Sequence, residues 1–595
     1  MQTQQPRHYH LLAVLIVILS GLMVALYSVK TPMWEAPDEI GHFSYILELS
    51  SSKRLPMQET GNLGQAHQPP LYYAIAAILS YPAGQNNLTG ALHLNPDFIW
   101  SGGDQINIGL HHTDETFPYS GQALAFHLAR LASLLMGMVT VSLVIAIGWL
   151  IFPEQAWIGL LGAALVAFNP QFLFIQGSVN NDALLVMATT GIIWQTLRMQ
   201  DRQNSLAQWL LLGLWIATAF LAKLSGFVVA AVAITYLSLI SIKTRSYRRL
   251  LRGLLAAGLV VILLTGWWFV RNQILYGDPL GWSVFNDIFA AVFRTTPLAW
   301  VDVRQFFDVQ FRSFWGVFGW MTVAAPGWFY SFILLLIIAS LAGYVLAFIS
   351  GRWLNLHRRQ RTALALLVGA LLAQEAYMLW AITRFDASWY QGRYLFPVIA
   401  PVAILLSFGL ETLFSQLPGR SRTGARIILV FAMAGLTLYM AIGVIAPAYR
   451  TAALPKMSIW FLKNRLDVLF DDLISLRGYE IETDQEDSSI TLRLYWQASQ
   501  KPDLDYSAFV HLEDSSDRLL DQDDGAPGEN QGYPPQLWLP GDIVEDWRIL
   551  SIPPDAQPPF EIRVGLYNWL DGRRLPATSA EGPLGDAVSI SLEEP

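Results

Sequence analysis

Apolar runs separated by short polar breaks dominate the chain from residue 11 to residue 446. A helix that crosses a bilayer takes about 20 apolar residues, and most of these runs approach or exceed that length. The pattern therefore predicts a polytopic α-helical membrane protein with about eleven transmembrane helices. The predicted spans are residues 11–27, 123–151, 156–176, 182–197, 206–221, 226–242, 253–270, 328–349, 362–382, 394–414 and 427–446.

The loops between these spans predict the orientation. Clusters of lysine and arginine occur in alternate loops, at residues 198–202, 243–252, 352–361 and 420–426. Because such clusters favour the cytoplasmic side, we expect the N-terminus inside and the C-terminus outside. No small-residue cleavage site follows the first run, so we interpret it as a retained helix. The chain is then a multi-pass protein of the cell membrane whose long first loop, residues 29–121, is extracytoplasmic.

After Tyr449 the pattern changes to an alternation of apolar and polar residues, which is the period of a β-strand. Residues 490–496, 507–512 and 560–567 are the clearest strands, and Asp-Gly and Pro-Gly turns punctuate this part of the chain. About seven short strands in roughly 120 residues are typical of a β-sandwich. We therefore expect a membrane domain at residues 1–450 and an extracytoplasmic all-β domain at residues 451–595.

Composition supports this division and excludes some chemistry. The 595 residues are 53% hydrophobic and 14% charged, and they include no cysteine, which rules out disulfides and thiolate metal sites. The net charge of -8 is uneven, because residues 451–595 hold 11 Lys+Arg and 27 Asp+Glu, a balance of -16. The remainder carries +8, on loops where membrane topology already explains the basic residues. We expect no nucleic-acid partner.

The first loop begins with an unusual density of ionisable residues, Glu35, Asp38, Glu39 and His42. If this stretch is helical, the four side chains lie on one face and Pro37 occupies the first turn. Like charges at this spacing repel, and an active-site carboxylate pair would explain such a cluster. A solvated helix start with acids at its N-terminus explains it about equally well.

Other polar elements in the sequence carry weaker signals. The apolar residues that follow His67-Gln-Pro-Pro-Leu-Tyr-Tyr73 predict a surface helix with tyrosines at the membrane interface. Residues 111–115, His-His-Thr-Asp-Glu, could bind a metal ion, but a solvated loop is the favoured interpretation. Residues 521–525, Asp-Gln-Asp-Asp-Gly, lack the spacing of an EF-hand, which favours an acidic turn.

Several cations face outward in the predicted topology. Lys223 lies between two spans, where it can extend to the headgroup level or bind a lipid phosphate as a point charge. Arg271, Arg384 and Arg393 share that side of the membrane. Arginine suits phosphate because its planar guanidinium group can bond two oxygens at once.

Taken together, these motifs resemble the GT-C glycosyltransferase superfamily, most of all the bacterial branch related to protein O-mannosyltransferases and aminoarabinose transferases. The matching elements are Asp38-Glu39 just after the first helix, the His67–Tyr73 element, and Asn180-Asn-Asp182 at the start of the fourth helix. Two further elements, Gln391–Pro397 and Tyr276–Leu280, resemble a little-characterised multi-pass family grouped with these enzymes. The resemblance covers residues 1–450.

This resemblance implies an inverting membrane glycosyltransferase. It would transfer a sugar from a polyprenyl-phosphate donor to a hydroxyl of a glycan, lipid or protein on the outer side of the membrane. By the match, Asp38 is the base and Glu39 a second acidic or positioning group, which would raise the pKa of Asp38 by repulsion. The candidates for the leaving phosphate are Lys223, Arg271, Arg384 and Arg393. The residues expected to line the sugar or acceptor site are Glu35, His42, His67, Asn181, Asp182 and Tyr394.

The resemblance implies no cofactor, although first-loop carboxylates and histidines would suit Mg²⁺ or Mn²⁺. A second interpretation is a multi-pass transporter, lipid scramblase or scaffold for envelope polymers that has no catalytic activity. Transporters place ionisable groups near the bilayer midplane, whereas the polar residues of this chain gather at one face. A third interpretation is a carbohydrate-binding β-domain on a membrane anchor. It is the least favoured of the three, because an anchor requires far fewer than eleven helices.

Overall fold

The computed structural model describes residues 5–58, 64–83, 93–95, 98, 106–200, 205–449, 452–484, 488–529, 533–556 and 558–592. The chain divides into two compact units. The helical unit comprises Met1–Ala91, Asn95–Ile108 and Leu124–Tyr449, and the β unit comprises Leu92–Leu94, Gly109–Ala123 and Arg450–Pro595.

Helices occur in all eleven predicted spans. In chain order the α-helices are α1 Arg7–Lys30, α2 Glu39–Ser52, α3 Leu71–Ser80, α4 Gly121–Ile151, α5 Ala156–Ala167, α6 Pro170–Gln176, α7 Asp182–Arg198, α8 Leu206–Ala222, α9 Phe227–Lys243, α10 Tyr247–Tyr276, α11 Trp282–Ile288, α12 Trp300–Trp315, α13 Gly327–Ile349, α14 Arg358–Ala381, α15 Ile399–Phe414, α16 Gly419–Tyr439 and α17 Ala446–Ala448. A 3-10 turn, Gly392–Val398, leads into α15, and a π-helical turn, Met440–Ile445, joins α16 to α17.

Length and composition qualify eight helical segments of the described chain as membrane spans, and a bent pair brings the number to nine. Two further segments, α7 and α8, have 17 residues each and are short for a span of about 20 residues. Large apolar side chains on α10, such as Leu255, Leu259 and Ile262, are 56–67% exposed, as expected for a surface that faces lipid. The chain is thus a polytopic helical membrane protein, and the number eleven stays a prediction.

The bent pair is α5 and α6, whose axes differ by 64°. Pro170 begins α6, where its missing N–H is not needed, and it cannot continue the hydrogen bonding of α5. Asn169 caps the new helix by accepting a hydrogen bond from the Phe172 amide at 3.0 Å. The span predicted at residues 156–176 is therefore broken near its C-terminal end.

The β unit contains two antiparallel sheets around one hydrophobic core. Its core takes large side chains from both sheets, including Trp496, Leu512 and Ile562, all with no exposed surface. The strands of the chain are β1 His93–Leu94, β2 Gly109–Leu110, β3 Val317–Phe318, β4 Val323–Ala324, β5 Asn464–Phe470, β6 Ile474–Asp484, β7 Ser489–Ala498, β8 Ser507–Asp514, β9 Leu519–Gln522, β10 Ile543–Ser551, β11 Phe560–Tyr567, β12 Ala577–Ser579, β13 Gly582–Gly585 and β14 Val588–Leu592. One sheet of the β unit has the strand order β10-β7-β6-β5-β12-β13 and the other β14-β11-β8-β9.

Part of the first loop belongs to the β unit. The carboxylate of Asp542, which is 2% exposed, accepts hydrogen bonds from the amide of Thr113 at 2.9 Å and from the Tyr533 hydroxyl at 2.6 Å. The amide of Ile543 donates to the Thr113 hydroxyl at 2.9 Å. Residues 109–123 are therefore bound to the end of the chain by hydrogen bonds that join positions about 430 apart in sequence.

Candidate active site

The backbone turns sharply just before α2, and this separates the ionisable side chains of the first loop. Asp38 has a φ of 64°, in the left-handed region, and α2 begins at Glu39. The expectation that Glu35, Asp38, Glu39 and His42 share one helical face is therefore wrong, because Glu35 and Pro37 precede the helix. Glu35 has no exposed surface, and its carboxylate accepts a hydrogen bond from the Ile108 amide at 3.2 Å.

Glu39 is fully buried in an ion pair. Its two oxygens accept hydrogen bonds from Nε and Nη2 of Arg130, each at 2.9 Å, and Oε1 also accepts from the Val179 amide at 2.7 Å. The Arg130 guanidinium, 1% exposed, donates further to the carbonyl oxygen of Thr31 at 2.8 Å. This carboxylate thus fastens α2 to α4 and to the start of the fourth predicted span. Sequence reasoning missed Arg130, although a lone cation inside an apolar span is the signal that could have found it.

Asp38 has a different environment from its neighbour. Loss of water around its carboxyl group would raise the pKa, but the charge of Arg393 and its hydrogen bond to the carboxylate lower it below the ordinary value. The expectation that Glu39 raises this pKa is wrong, because Arg130 compensates the charge of Glu39. Asp38 is therefore an ionised carboxylate at neutral pH.

Two ion pairs meet around the ring of Tyr394. Nη2 of Arg393 lies 2.6 Å from Oδ2 of Asp38, and Nζ of Lys223 lies 2.6 Å from Oδ1 of Asp182. The Tyr394 ring centre is 5.5 Å from Nζ of Lys223 and 5.2 Å from Cζ of Arg393. The side chains of Asp38 and Lys223 are 35% and 23% exposed, whereas those of Asp182 and Arg393 are 5% and 4% exposed. The cluster thus has a buried side and an accessible side.

Arg393 retains hydrogen-bonding capacity beyond its ion pair. Among the described residues, its Nε and Nη1 atoms are buried without a hydrogen-bond partner, and so is Oδ2 of Asp182. Buried donors without partners are costly and uncommon, and each of these guanidinium N–H groups can donate a hydrogen bond to an oxygen of an anion. The arrangement can therefore bind an anionic group beside the carboxylate of Asp38.

Two neutral histidines border the cluster. Nδ1 of His42 lies 2.8 Å from the hydroxyl of Tyr73, whose ring stacks on Tyr45 with centres 3.8 Å apart. Burial lowers the pKa of His42 to about 3. His67 lies against the edges of Phe285 and Phe289, and burial, followed by the charge of Lys223, lowers its pKa to about 4.

The Asn180–Asp182 element positions the lysine. The amide nitrogen Nδ2 of Asn181 donates to the carbonyl oxygen of Ala222 at 2.9 Å, which fixes the residue before Lys223. The Asn180 amide donates to the hydroxyl of Tyr72 at 2.9 Å. The helix predicted after His67 is present as α3, but Tyr72 and Tyr73 have no exposed surface, so their expected place at the membrane interface is wrong.

The other two predicted phosphate ligands contact different segments. Arg271 donates from Nη2 to the carbonyl oxygen of Pro56 at 2.7 Å, and its guanidinium carbon lies 4.9 Å from the ring centre of Trp268. Arg384 is exposed, and its carbonyl oxygen accepts a hydrogen bond from the Arg294 amide at 2.8 Å. Of the four candidates, Lys223 and Arg393 are the two that the structure brings to Asp38 and Tyr394.

Within the described ranges, no group of three or more histidine, aspartate or glutamate side chains is arranged to hold a metal ion. His111 and His112 are 6% and 5% exposed, so the favoured interpretation of a solvated loop is wrong. They pair with Glu115 at 2.9 Å and with Asp542 at 3.0 Å.

The acidic turn of the β unit is held by protein groups. The carboxylates of Asp521, Asp523 and Asp524 accept hydrogen bonds from the amides of Ser551, Ile549 and Val510, respectively.

One protein-family model matches part of the chain. A family model described as "Predicted membrane protein (DUF2142)" matches residues 120–402, a little under half of the chain. No curated protein matches the sequence.

Three solved structures illustrate the structural similarity. ArnT from Cupriavidus metallidurans, bound to undecaprenyl phosphate, has a TM-score of 0.42 and 17% identity over 72% of this chain and 64% of that chain. The oligosaccharyltransferase AglB from Archaeoglobus fulgidus, in complex with an inhibitory peptide and a dolichol-phosphate, has 0.41 and 12% over 74% and 56%. The arabinofuranosyltransferase AftD from Mycobacteria has 0.39 and 13% over 76% and 28%. This chain thus spans less than two thirds of the length of each.

Proposed function

We propose that the chain is a membrane glycosyltransferase that moves a sugar from a polyprenyl-phosphate donor to an acceptor hydroxyl. The observation that carries this proposal is the accessible carboxylate of Asp38 beside a buried arginine with two unpaired N–H groups. Sugar transfer from a lipid phosphate needs this combination, because a base must accept the proton of the acceptor while cations stabilise the departing phosphate. Asp38 lies in a motif that resembles GT-C glycosyltransferases, and Arg393 lies in one that resembles a little-characterised multi-pass family grouped with these enzymes.

In the proposed reaction, the acceptor hydroxyl donates a hydrogen bond to the Asp38 carboxylate. The oxygen of the acceptor hydroxyl forms a bond to the anomeric carbon of the sugar. The bond from that carbon to the phosphate oxygen breaks at the same time, and the configuration of the carbon is inverted. The proton passes to Asp38, and the electron pair leaves with the phosphate. Nε and Nη1 of Arg393 and the ammonium group of Lys223 stabilise the negative charge that develops there.

The ionised state of Asp38 suits this role in a specific way. A carboxylate of low pKa is a weak base, so it accepts the proton late, when the hydroxyl oxygen has already become acidic through bond formation. Binding of a phosphate to Arg393 would also weaken the hold of that arginine on Asp38, because the guanidinium charge is then shared between two anions. The pKa of Asp38 would consequently rise when the donor is bound.

The remaining site residues support the cluster in this proposal. Asp182 and Asn181 hold Lys223 in place, and Tyr394 separates the two cations. His67 and Tyr394 present ring surfaces that suit the apolar faces of a sugar. Glu39 and Glu35 have buried, hydrogen-bonded carboxylates. In this proposal they stabilise the conformation of the loop and do not contact the substrate.

The direct test is release of free lipid phosphate from a panel of polyprenyl-phosphate sugars by purified protein. We expect release by the natural protein and a loss of about 10²–10⁴-fold in Asp38→Asn, the range typical of a general base. Arg393→Lys should lose about 10²–10³-fold, because lysine keeps the charge but not the paired N–H groups. Asp308→Asn is the matched control, since that carboxylate is 57% exposed and pairs with Arg312 on α12.

Two outcomes would contradict the proposal. Normal release by Asp38→Asn would show that Asp38 is not the base. Equal rates in Arg393→Lys and the natural protein would show that Arg393 does not bind the phosphate through two N–H groups. If no donor releases its phosphate with the natural protein, while radiolabelled lipid-linked sugar crosses the bilayer of proteoliposomes, the non-catalytic transporter is the correct interpretation.

A further inference from the structure

One short segment of the β unit differs in character from the rest of that unit. Residues 456–465 contain three of the 11 lysines and arginines of residues 451–595 and none of its 27 acidic residues. The segment begins with a 3-10 turn, Lys456–Phe461, and continues into β5. We call residues 456–465 the basic aromatic segment.

Two large apolar side chains project from this segment. Trp460 is 63% exposed and Phe461 is 74% exposed, although they are neighbours in sequence and stand on a unit with a well-filled core. Leu462, which follows them, is 8% exposed and fixes the base of the turn in the β unit. An exposed tryptophan and phenylalanine side by side are costly in water and mark a surface that is covered in use.

The cations of the segment flank these aromatic residues in sequence. Lys463 and Arg465 are exposed, and the Arg465 guanidinium donates to the carbonyl oxygen of Trp460, which keeps its charge near the ring. Lys456 pairs with Asp114 at 2.8 Å within the same unit. Tryptophan with lysine and arginine is the composition that anchors proteins at the headgroup level of a bilayer.

Chain length limits where the segment can be. Residue 456 follows Tyr449 by seven positions, so a fully extended connection reaches at most roughly 25 Å. The last candidate span, Gly419–Ala448, ends just before Tyr449. The basic aromatic segment is consequently tethered within reach of the membrane surface at the end of that helix.

We infer that the basic aromatic segment lies in the headgroup region of a bilayer that contains anionic lipid, with Trp460 and Phe461 inserted towards the acyl chains. The partner is thus a lipid surface, to which Lys463 and Arg465 contribute attraction. The β unit is strongly acidic as a whole, and an anionic surface would repel it elsewhere. This inference does not depend on the proposed enzymatic activity.

The absence of cysteine from the sequence makes a clean test feasible. The full-length protein carrying the single substitution Phe461→Cys is labelled with a nitroxide and reconstituted into phosphatidylcholine–phosphatidylglycerol vesicles. Electron paramagnetic resonance then measures collisions of the label with oxygen, which concentrates in lipid, and with a water-soluble nickel complex. The matched control is Ser515→Cys, an exposed polar residue in the turn between β8 and β9.

At position 461 we expect oxygen collisions to exceed nickel collisions several-fold, and at position 515 we expect the reverse. Adding Lys463→Glu and Arg465→Glu to the 461 label should shift its ratio towards the nickel complex. Strong nickel collisions at 461 would show a water-exposed segment and overturn the inference. Low collisions with both reagents would overturn it in favour of contact with protein, such as a second copy of the chain.

Discussion

Asp38 and Glu39 are adjacent in the first loop but have different environments, and the backbone conformation explains the difference. Asp38 occupies the left-handed region and α2 starts at Glu39, so one carboxylate reaches Arg393 while the next is enclosed with Arg130. The Asp-Glu pair is visible in the sequence, but its partners lie 355 and 91 residues away. Sequence alone could therefore nominate both acids, and could not tell which of them is accessible.

Glu39→Gln should destabilise the protein strongly. The substitution leaves the Arg130 charge buried without a counter-ion, which typically costs about 3–5 kcal/mol. We expect a clear fall of the melting temperature in detergent, measured by intrinsic fluorescence. Glu48→Gln on the exposed face of the same helix is the control and should change stability by less than about 0.5 kcal/mol. Equal melting temperatures for the two variants would contradict a structural role for Glu39.

Acidification should destabilise the folded state through the buried histidines. His67 has a pKa of about 4 in the folded protein, so between its ordinary value of 6.5 and about 4 the unfolded chain binds the additional proton. The free energy of unfolding must then decrease as the pH falls through this window. We expect the melting temperature of His67→Gln to depend less on pH there than that of the natural protein. Identical pH dependence of the two would show that His67 is protonated in both states or in neither.

At the scale of elements, helices follow directly from the apolar runs, whereas their breaks and contacts do not. The runs at residues 156–176 and 394–414 each look like one span, yet the first bends by 64° and the second starts with a 3-10 turn that carries Arg393. Pro170 and Pro397 are local signals for these irregularities. The contacts between this 3-10 turn and α12 join residues that are far apart in sequence. Neither the composition nor the hydrophobic periodicity of the chain could therefore predict them.

Gly392→Ala should disturb the site without removing any of its side chains. A methyl group at this glycine would overlap the backbone of α12 at Gln310 and Phe314, so the turn carrying Arg393 must shift. We expect a loss of about 1–3 kcal/mol in stability together with reduced release of lipid phosphate. Gly369→Ala is the control, because nothing lies within 4 Å of its added methyl group and alanine favours a helix. Full activity of Gly392→Ala would contradict the close approach of these elements.

At the scale of the whole molecule, the sequence indicates the change from membrane helices to strands. It does not indicate that a segment of the first loop belongs to the β unit. The strands predicted at residues 490–496, 507–512 and 560–567 are present as β7, β8 and β11. Residues 109–123, by contrast, belong to the β unit, although they comprise the end of the first loop and the first three residues of α4. Polar residues of that loop gave no hint of this, because their partner Asp542 is about 430 positions away.

Asp542→Ala should release residues 109–123 from the β unit. The substitution leaves the Thr113 amide without its acceptor, which costs about 1–3 kcal/mol for a buried group. Limited proteolysis, read by mass spectrometry, should then show faster cleavage within residues 109–123. The matched control is Asp555→Ala, whose carboxylate is 76% exposed. An unchanged cleavage pattern would show that other contacts suffice to hold the segment.

The β unit is built from segments that are far apart in sequence, and these segments are synthesised at different times. Residues 109–123 leave the ribosome early, while Asp542 and β10 come more than 400 residues later. At a synthesis rate of about 5–20 residues per second, that interval is roughly 20 to 80 s. Throughout this interval Asp542, which binds His112 and Thr113 in the finished protein, has not yet been synthesised. A nascent chain that stops before residue 542 therefore carries a first loop that lacks the hydrogen bonds of Thr113 to Asp542 and Ile543.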